Sequence, residues 1–222
     1  MELSDVMRTT FAAREFTADP VSDAALQDIL ELARFAPSGG NRQGNRVIIV
    51  RDAETRNALA ELAAPAAKRY TAQVKAGESP WNTITPTAVS DAEIAATAPA
   101  ARLTDSFRQA PVCLVFVVDL AVVASMDQFV PRVGVISGAS IYPFVWNVLL
   151  AARQAGFGGT ITTLAAAEEP KVQALLNIPK QFAVAAVVPL GKPVKQLTKL
   201  RRNPVADFAT VGRFDGPPFS ES

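Results

Sequence analysis

Ala36-Pro37-Ser38-Gly39-Gly40-Asn41-Arg42-Gln43-Gly44-Asn45-Arg46 joins an amphipathic helix to an apolar strand, and this junction decides how the rest of the chain is read. On its N-terminal side, Ser22 is placed to cap a helix in which Leu26, Ile29, Leu30 and Ala33 fall at i, i+3, i+4 and i+7. Pro37 stops that helix, and Val47-Ile48-Ile49-Val50 reads as a central strand, apolar on both faces. The loop between them bares backbone N–H groups and short side-chain donors. Such a loop suits a ligand carrying carbonyls, ring nitrogens or phosphate. By chemistry alone, an ordinary polar connection accounts for the same residues equally well.

Composition removes several function classes. The chain has 222 residues, 49% hydrophobic and 19% charged, enough for one large core or a core plus an interface. A net charge of +1 gives no field that would recruit nucleic acid or a membrane surface, although local Arg clusters could hold a small anion. The single cysteine, Cys113, lies in the apolar run 112–118 and reads as a buried structural thiol in a reducing compartment. The start, Met-Glu-Leu-Ser-Asp, lacks the basic, then apolar, pattern of a signal peptide, and the apolar stretches are too short for a membrane span. The expectation is a cytoplasmic protein. Histidine is absent altogether, which removes Ser-His-Asp and Cys-His schemes, the commonest general base and most zinc sites. No stretch carries a dinucleotide fingerprint or a P-loop lysine. With so few nucleophiles and bases, redox or group-transfer chemistry would have to be borrowed from a cofactor.

Patterning predicts one domain over 1–222, without repeats or a dividing linker. Helices are expected over 1–13, 22–35, 52–65, 133–155 and 167–177, and strands near 46–51, 112–119 and 182–190. Residues 66–110 lack firm periodicity and carry Trp81, which favours an active-site lid over an interface arm or disorder. The long helix opens on small residues at Gly134, Ser137, Gly138 and Ser140, and is apolar nearly all round from Ile141 to Leu150. It is therefore either a core helix or one buried against a second subunit, the latter preferred. Gly156-Phe157-Gly158-Gly159-Thr160 breaks it, and residues 196–222 form an extended arm with nothing of its own to fold around.

In this order the segments resemble the nitroreductase family of FMN-dependent oxidoreductases. Met7-Arg8-Thr9-Thr10-Phe11-Ala12-Ala13-Arg14-Glu15-Phe16 is similar to the family's opening Arg-Arg-Ser-x-Arg-x-Phe segment, and Pro20-Val21 and Ala36 to Gln43 follow at its spacing. Asn147-Val-Leu-Leu-Ala-Ala, Gly156-Phe-Gly-Gly, Leu176-Asn-Ile-Pro179, Pro189-Leu-Gly-Lys-Pro193 and Arg202-Asn-Pro-Val205 resemble later family signatures. The resemblance implies an α+β fold, a mixed central sheet flanked by helices. It also implies a homodimer whose C-terminal arm is exchanged onto the partner, with FMN in clefts at the interface.

The same resemblance implies the site. The flavin phosphate would meet Arg14, Arg201 and Arg202, or Arg14 would stand instead at the pyrimidine end, where positive charge favours the reduced ring. The loop would contribute Pro37, Ser38, Gly39, Asn41 and Gln43 to the ribityl chain and pyrimidine edge, and Gly158-Gly159 would bring backbone N–H groups to the isoalloxazine. Thr10 stands where the family has a phosphate Arg, with Arg8 one turn earlier to compensate; Ala12 replaces a Ser, and Gly44-Asn45 a Pro-Trp. The implied activity is hydride transfer from NADPH or NADH, by a ping-pong mechanism, to a small acceptor such as a nitroaromatic or quinone. A specialised relative, a reductive dehalogenase or flavin-fragmenting enzyme, and a flavin-sequestering protein with little turnover are the competing readings.

Overall fold

Seven apolar residues in a row, Val112 to Val118, and then Asp119 form strand β2 (Val112–Asp119), and the fold is organised around them in the computed structural model, which describes residues 1–220. The other strands are β1 (Asn45–Val50), β3 (Gly158–Gly159) and β4 (Phe182–Gly191). They lie in the order β1-β2-β4-β3, and each neighbouring pair is antiparallel. The expected mixed sheet is thus corrected: the parallel element is one isolated bridge, Ala12 to Gly159.

Alternation along β2 divides the core. Val112, Leu114, Phe116 and Val118 pack with α2 (Asp23–Ala33) and α6 (Tyr142–Gln154) on one face. Cys113, Val115 and Val117 point the other way, toward α3 (Ala53–Lys75), α5 (Ala101–Gln109) and α7 (Glu169–Leu176). A strand with helices on both faces needs apolar residues at every position, which is what the run supplies. Cys113 is fully buried, and desolvation pushes its thiol up to about 12, so it is an inert core residue. In β4 a register shift opposite Phe116 and Val117 leaves Ala185 bulged, and Tyr142 Oη donates to the Ala185 carbonyl at 3.2 Å.

Several elements differ from the sequence-based expectation. The first helix, α1, is Leu3–Thr9 and not 1–13, because Thr10 turns extended and is buried. Ser22 caps α2 as expected, its Oγ accepting from Ala25 N at 3.1 Å. β1 is an edge strand with Ile49 exposed, so it is not the central strand its apolar run suggests. α3 does not stop at Pro65. Ala60, Ala63, Ala66 and Ala67 are buried along one side, and that packing outweighs the ~3 kcal/mol an interior proline costs. Residues 66–110 are accordingly mostly helical: the end of α3, then α4 (Asp91–Ala96) with a Ser90/Glu93 capping box, then α5.

The helix expected from 133 begins only at Tyr142, with Pro143 in its first turn. The preceding loop is gathered by Asp127, whose carboxylate accepts from Val135 N and Arg132 Nη1 at 2.8 and 2.7 Å, and from Ile136 N and Ser125 Oγ. Those bonds, led by the Val135 N–H and then Arg132, hold the carboxyl down at about 2. α6 buries Phe144, Val145, Val148 and Leu149 in the core, yet leaves Tyr142 and Trp146 each 41% exposed. Residues 167–177 resolve into a short tight turn, Leu164–Glu168, followed by α7. The arm is described to Ser220, and Glu221 and Ser222 lie outside the described residues. It makes a small hairpin of its own, Thr210 bridging Pro218, but Phe208 and Phe214 have nothing beneath them.

Two outcomes test this packing. A Cβ on Gly159 would lie 2.7 Å from the Pro189 carbonyl oxygen and 2.9 Å from Val188 Cγ1. Gly159→Ala should therefore lose about 1–3 kcal/mol in urea unfolding, through overpacking at the β3–β4 edge. The Asp127 carboxyl is depressed, so its contribution is complete above about pH 4 and fades as pH falls toward 2. Asp127→Asn should lower the urea midpoint at neutral pH, with the difference from the unaltered protein closing across that acid window.

Candidate active site

After α1 the chain crosses beside β3, and Ala13 N donates to the Gly159 carbonyl at 3.0 Å. That contact carries Arg14 into a cleft of about 520 Å³, within the usual size of small-molecule sites. One wall is the run Thr160–Leu164 that continues from β3, and the other comes from Tyr70 on α3 and Arg102, Leu103 and Ser106 on α5, with Trp81 between the helices. The charged side chains lining it are Arg14 and Arg102, and no Asp or Glu is among them. Arg14 is half-buried; desolvation, and after it the charge of Arg102, pull its pKa below the usual guanidinium range.

The hydroxyls of Ser106, Thr160, Thr162 and Thr163, the apolar Ile161 and Leu164, and a guanidinium fit a flat heteroaromatic ring with carbonyl edges and an anionic group. FMN has that chemistry. Sequence reading identified Arg14 and noticed Trp81, but missed Tyr70, Arg102 and Ser106. Their meaning appears only when α3 packs against α5, and no local motif announces it.

The other expected residues lie in different places. Thr10 is buried and its hydroxyl donates to the Val6 carbonyl at 2.7 Å, so its one donor is committed within the helix end. Arg8 is exposed in the last turn of α1. Gly158 and Gly159 are buried in β3, and both are glycine for packing reasons, since a Cβ on Gly158 would press on Pro193 at 2.9 Å. Arg201 and Arg202 are exposed on the arm, with Arg202 Nη1 donating to the Arg201 carbonyl.

The loop that carries Pro37, Ser38, Gly39, Asn41 and Gln43 sits elsewhere again. Gly39 N donates to Ser140 Oγ at 3.3 Å, and Ser38 Oγ accepts from Gln43 N at 2.9 Å. Asn41 and Gln43 have φ of 53° and 50°, left-handed backbone that side chains other than glycine rarely adopt. Asparagine takes this conformation more readily than glutamine, so the strain is concentrated at Gln43. Asn45, where the loop ends, pairs with Val118, whereas Gly159 pairs with Leu190 and through it with Val112. Six residues of β2 therefore separate the loop from the cleft, about 20 Å. The structure does not bring the two halves of the expected site together within one chain.

Among the described residues, no helix is long and apolar enough to cross a membrane. A stretch of 50 residues, 22% of this chain, is 46% identical to an NADH dehydrogenase of Thermus thermophilus, and the match spans 24% of that relative's length. An oxidized iodotyrosine deiodinase, crystallised with FMN and 3-iodo-L-tyrosine, superposes with a TM-score of 0.69 at 19% identity, covering 96% of this chain and 100% of that one. The NADPH:FMN oxidoreductase of Vibrio harveyi, complexed with NAD+, superposes with a TM-score of 0.66 at 21% identity, over 96% of this chain and 77% of that one. At these identities the two structures show a shared fold. The sequence profile of the nitroreductase family, by contrast, matches residues 7–192 directly. The chain belongs to the nitroreductase family of flavoprotein oxidoreductases.

Proposed function

We infer that the protein is an FMN-dependent oxidoreductase that takes hydride from NADH or NADPH and delivers it, by a ping-pong mechanism, to a small acceptor such as a nitroaromatic or quinone. The observation that carries this reading is the cleft: cationic, lined by hydroxyls, and with no imidazole, thiol, amine or carboxylate to activate them. Chemistry there has to come from a bound group, and FMN supplies two-electron transfer between nicotinamide and acceptor. For a nitro compound the balance is R–NO2 + NAD(P)H + H⁺ giving R–NO + NAD(P)⁺ + H2O. The chain's share is to bind and orient. Arg14 offers a guanidinium to an anionic group, the Thr160–Thr163 hydroxyls offer hydrogen bonds to a ring edge, and Trp81 and Leu164 exclude water. The similarity to a relative named NADH dehydrogenase supports the nicotinamide donor.

A homodimer completes the site in this reading. The strained 36–43 loop and the Arg14 cleft lie about 20 Å apart along β2, so one flavin can touch both only if they come from two copies. The surface has the material for such an interface: Trp146 and Tyr142 on α6, and Phe129, 89% exposed, in the adjoining loop. A groove between α2 and the open edge of β1, lined by Leu30, Arg34, Asn45 and Val47, suits an extended segment, and the arm with Phe208 and Phe214 is the segment proposed to be exchanged. Arg201 and Arg202 would travel with it toward the flavin phosphate. A reductive dehalogenase is the second reading, favoured by the folded helical wall that holds Trp81 over the cleft.

The purified protein should carry a flavin band that bleaches anaerobically with NADH or NADPH and returns on adding a nitroaromatic. A band unmoved by both nucleotides would overturn the oxidoreductase reading. Arg14→Ala should weaken FMN by about 1.5–3 kcal/mol, the loss of a charged hydrogen bond, measured by flavin fluorescence titration. Sedimentation should give a dimer. A chain ending at Thr198 should sediment as a monomer and lose flavin, and a flavin-loaded dimer from it would refute the arm's role.

A further inference from the structure

Trp81 is placed with unusual care for a residue in a connecting loop. Its backbone is left-handed, with φ of 55°, a conformation that bulky side chains rarely adopt. Its N–H donates to Gln73 Oε1 at 3.1 Å, and Gln73 is itself buried on α3. The Arg69 guanidinium stacks on the indole, 4.7 Å from its centroid. The loop beyond is tied by Glu78, which accepts from Thr87 Oγ1 and Ala88 N at 2.6 and 2.8 Å. Separate restraints thus hold one aromatic side chain at the cleft wall, at the expense of backbone strain.

Arg102 lines the same wall and is unlike its neighbours. Arg108 pairs with Glu61 and Asp105, Arg56 is spent on the carbonyls of Arg108 and Ala110, and Arg69 is on Trp81. Arg102 is exposed at the cleft mouth, its guanidinium left to solvent with no ion pair or hydrogen bond among the described residues. It faces the cleft together with Arg14, and its charge disfavours Arg14's, so an anion bound between or beside them relieves a repulsion. Under the reading above, on which this inference rests, the flavin phosphate is met by Arg14, Arg201 and Arg202. That leaves Arg102 as the cation available to whatever enters beside the ring.

We propose that the acceptor is an aromatic carboxylate, its ring packed on Trp81 and its carboxylate paired with Arg102. A guanidinium fork matches a carboxylate in two hydrogen bonds, and the indole matches a ring, so the pair selects for both features at a fixed spacing. Arg102 is a specificity residue here and takes no part in electron transfer.

The test compares 4-nitrobenzoate with methyl 4-nitrobenzoate, which carry the same reducible group and differ in charge. With the flavin-loaded protein, kcat/KM should favour the acid by about tenfold or more, and Arg102→Ala should abolish that preference through KM with kcat little changed. Arg102→Glu should invert it, favouring 4-nitrobenzylamine. Independently of turnover, calorimetric titration should show benzoate binding more tightly than benzamide, with the difference lost in Arg102→Ala and both weakened in Trp81→Ala. Equal binding of benzoate and benzamide, or a preference that survives Arg102→Ala, would overturn the proposal even if the flavin reduces normally. Failure of the flavin to reduce would instead count against the oxidoreductase reading, and the benzoate titration would still decide the role of Arg102.

Discussion

The constraint on which the structure depends is the burial of β2 on both faces. Its alternate side chains enter two separate apolar layers, Leu114 and Phe116 toward α2 and α6, Val115 and Val117 toward α3, α5 and α7. A strand this apolar cannot stand at a solvated surface, so helices must cover both sides, and a four-stranded sheet is wide enough to carry them. The cleft is a by-product of that arrangement. It opens where the run after β3 leaves the sheet and the α3–α5 pair does not close over it. Arg14 reaches it because Ala13 is tied to Gly159 by a backbone hydrogen bond.

The length of β2 has a second effect. It sets the separation between the 36–43 loop at one end and the cleft at the other, which the proposed function treats as two halves of one site. The exposed aromatic residues of α6 and the arm lie on a chain whose own core leaves them uncovered. The homodimer of the proposed function would answer both, covering those residues and joining the loop to the cleft.

How much of this could be read in the sequence depends on the range of the interaction responsible. α2 with its Ser22 cap, and strands β2 and β4, follow from neighbours within a few positions, and the sequence pattern carries them. α3 continues past Pro65 because alanines pack against α5, and small residues leave only a faint periodic signal. Residues 133–141 are not continuous with α6: Asp127 holds the N–H groups of Val135 and Ile136 at the start of a separate tight turn, Ile136–Ser140, and Ile141, at φ −130°, breaks that turn from α6. In the candidate site, Arg14 is legible from its place along the chain. Arg102 and Ser106 are not, since they meet Arg14 only across the packing of α3 on α5.

The close contact at Gly159 divides the cleft into two unequal walls. On the β3 side, backbone is pressed against the Pro189 carbonyl with no room for a methyl group, and Thr162 is bridged to Val187. Nearly any change there is felt by the sheet itself. The opposite wall hangs on helices outside the sheet, where Tyr70, Trp81 and Arg102 touch the cleft without supporting the strands. A lineage, or an engineer, that sought a new substrate would find the first wall closed to alteration and the second open, so chemistry and selectivity can diverge at different rates within one cavity.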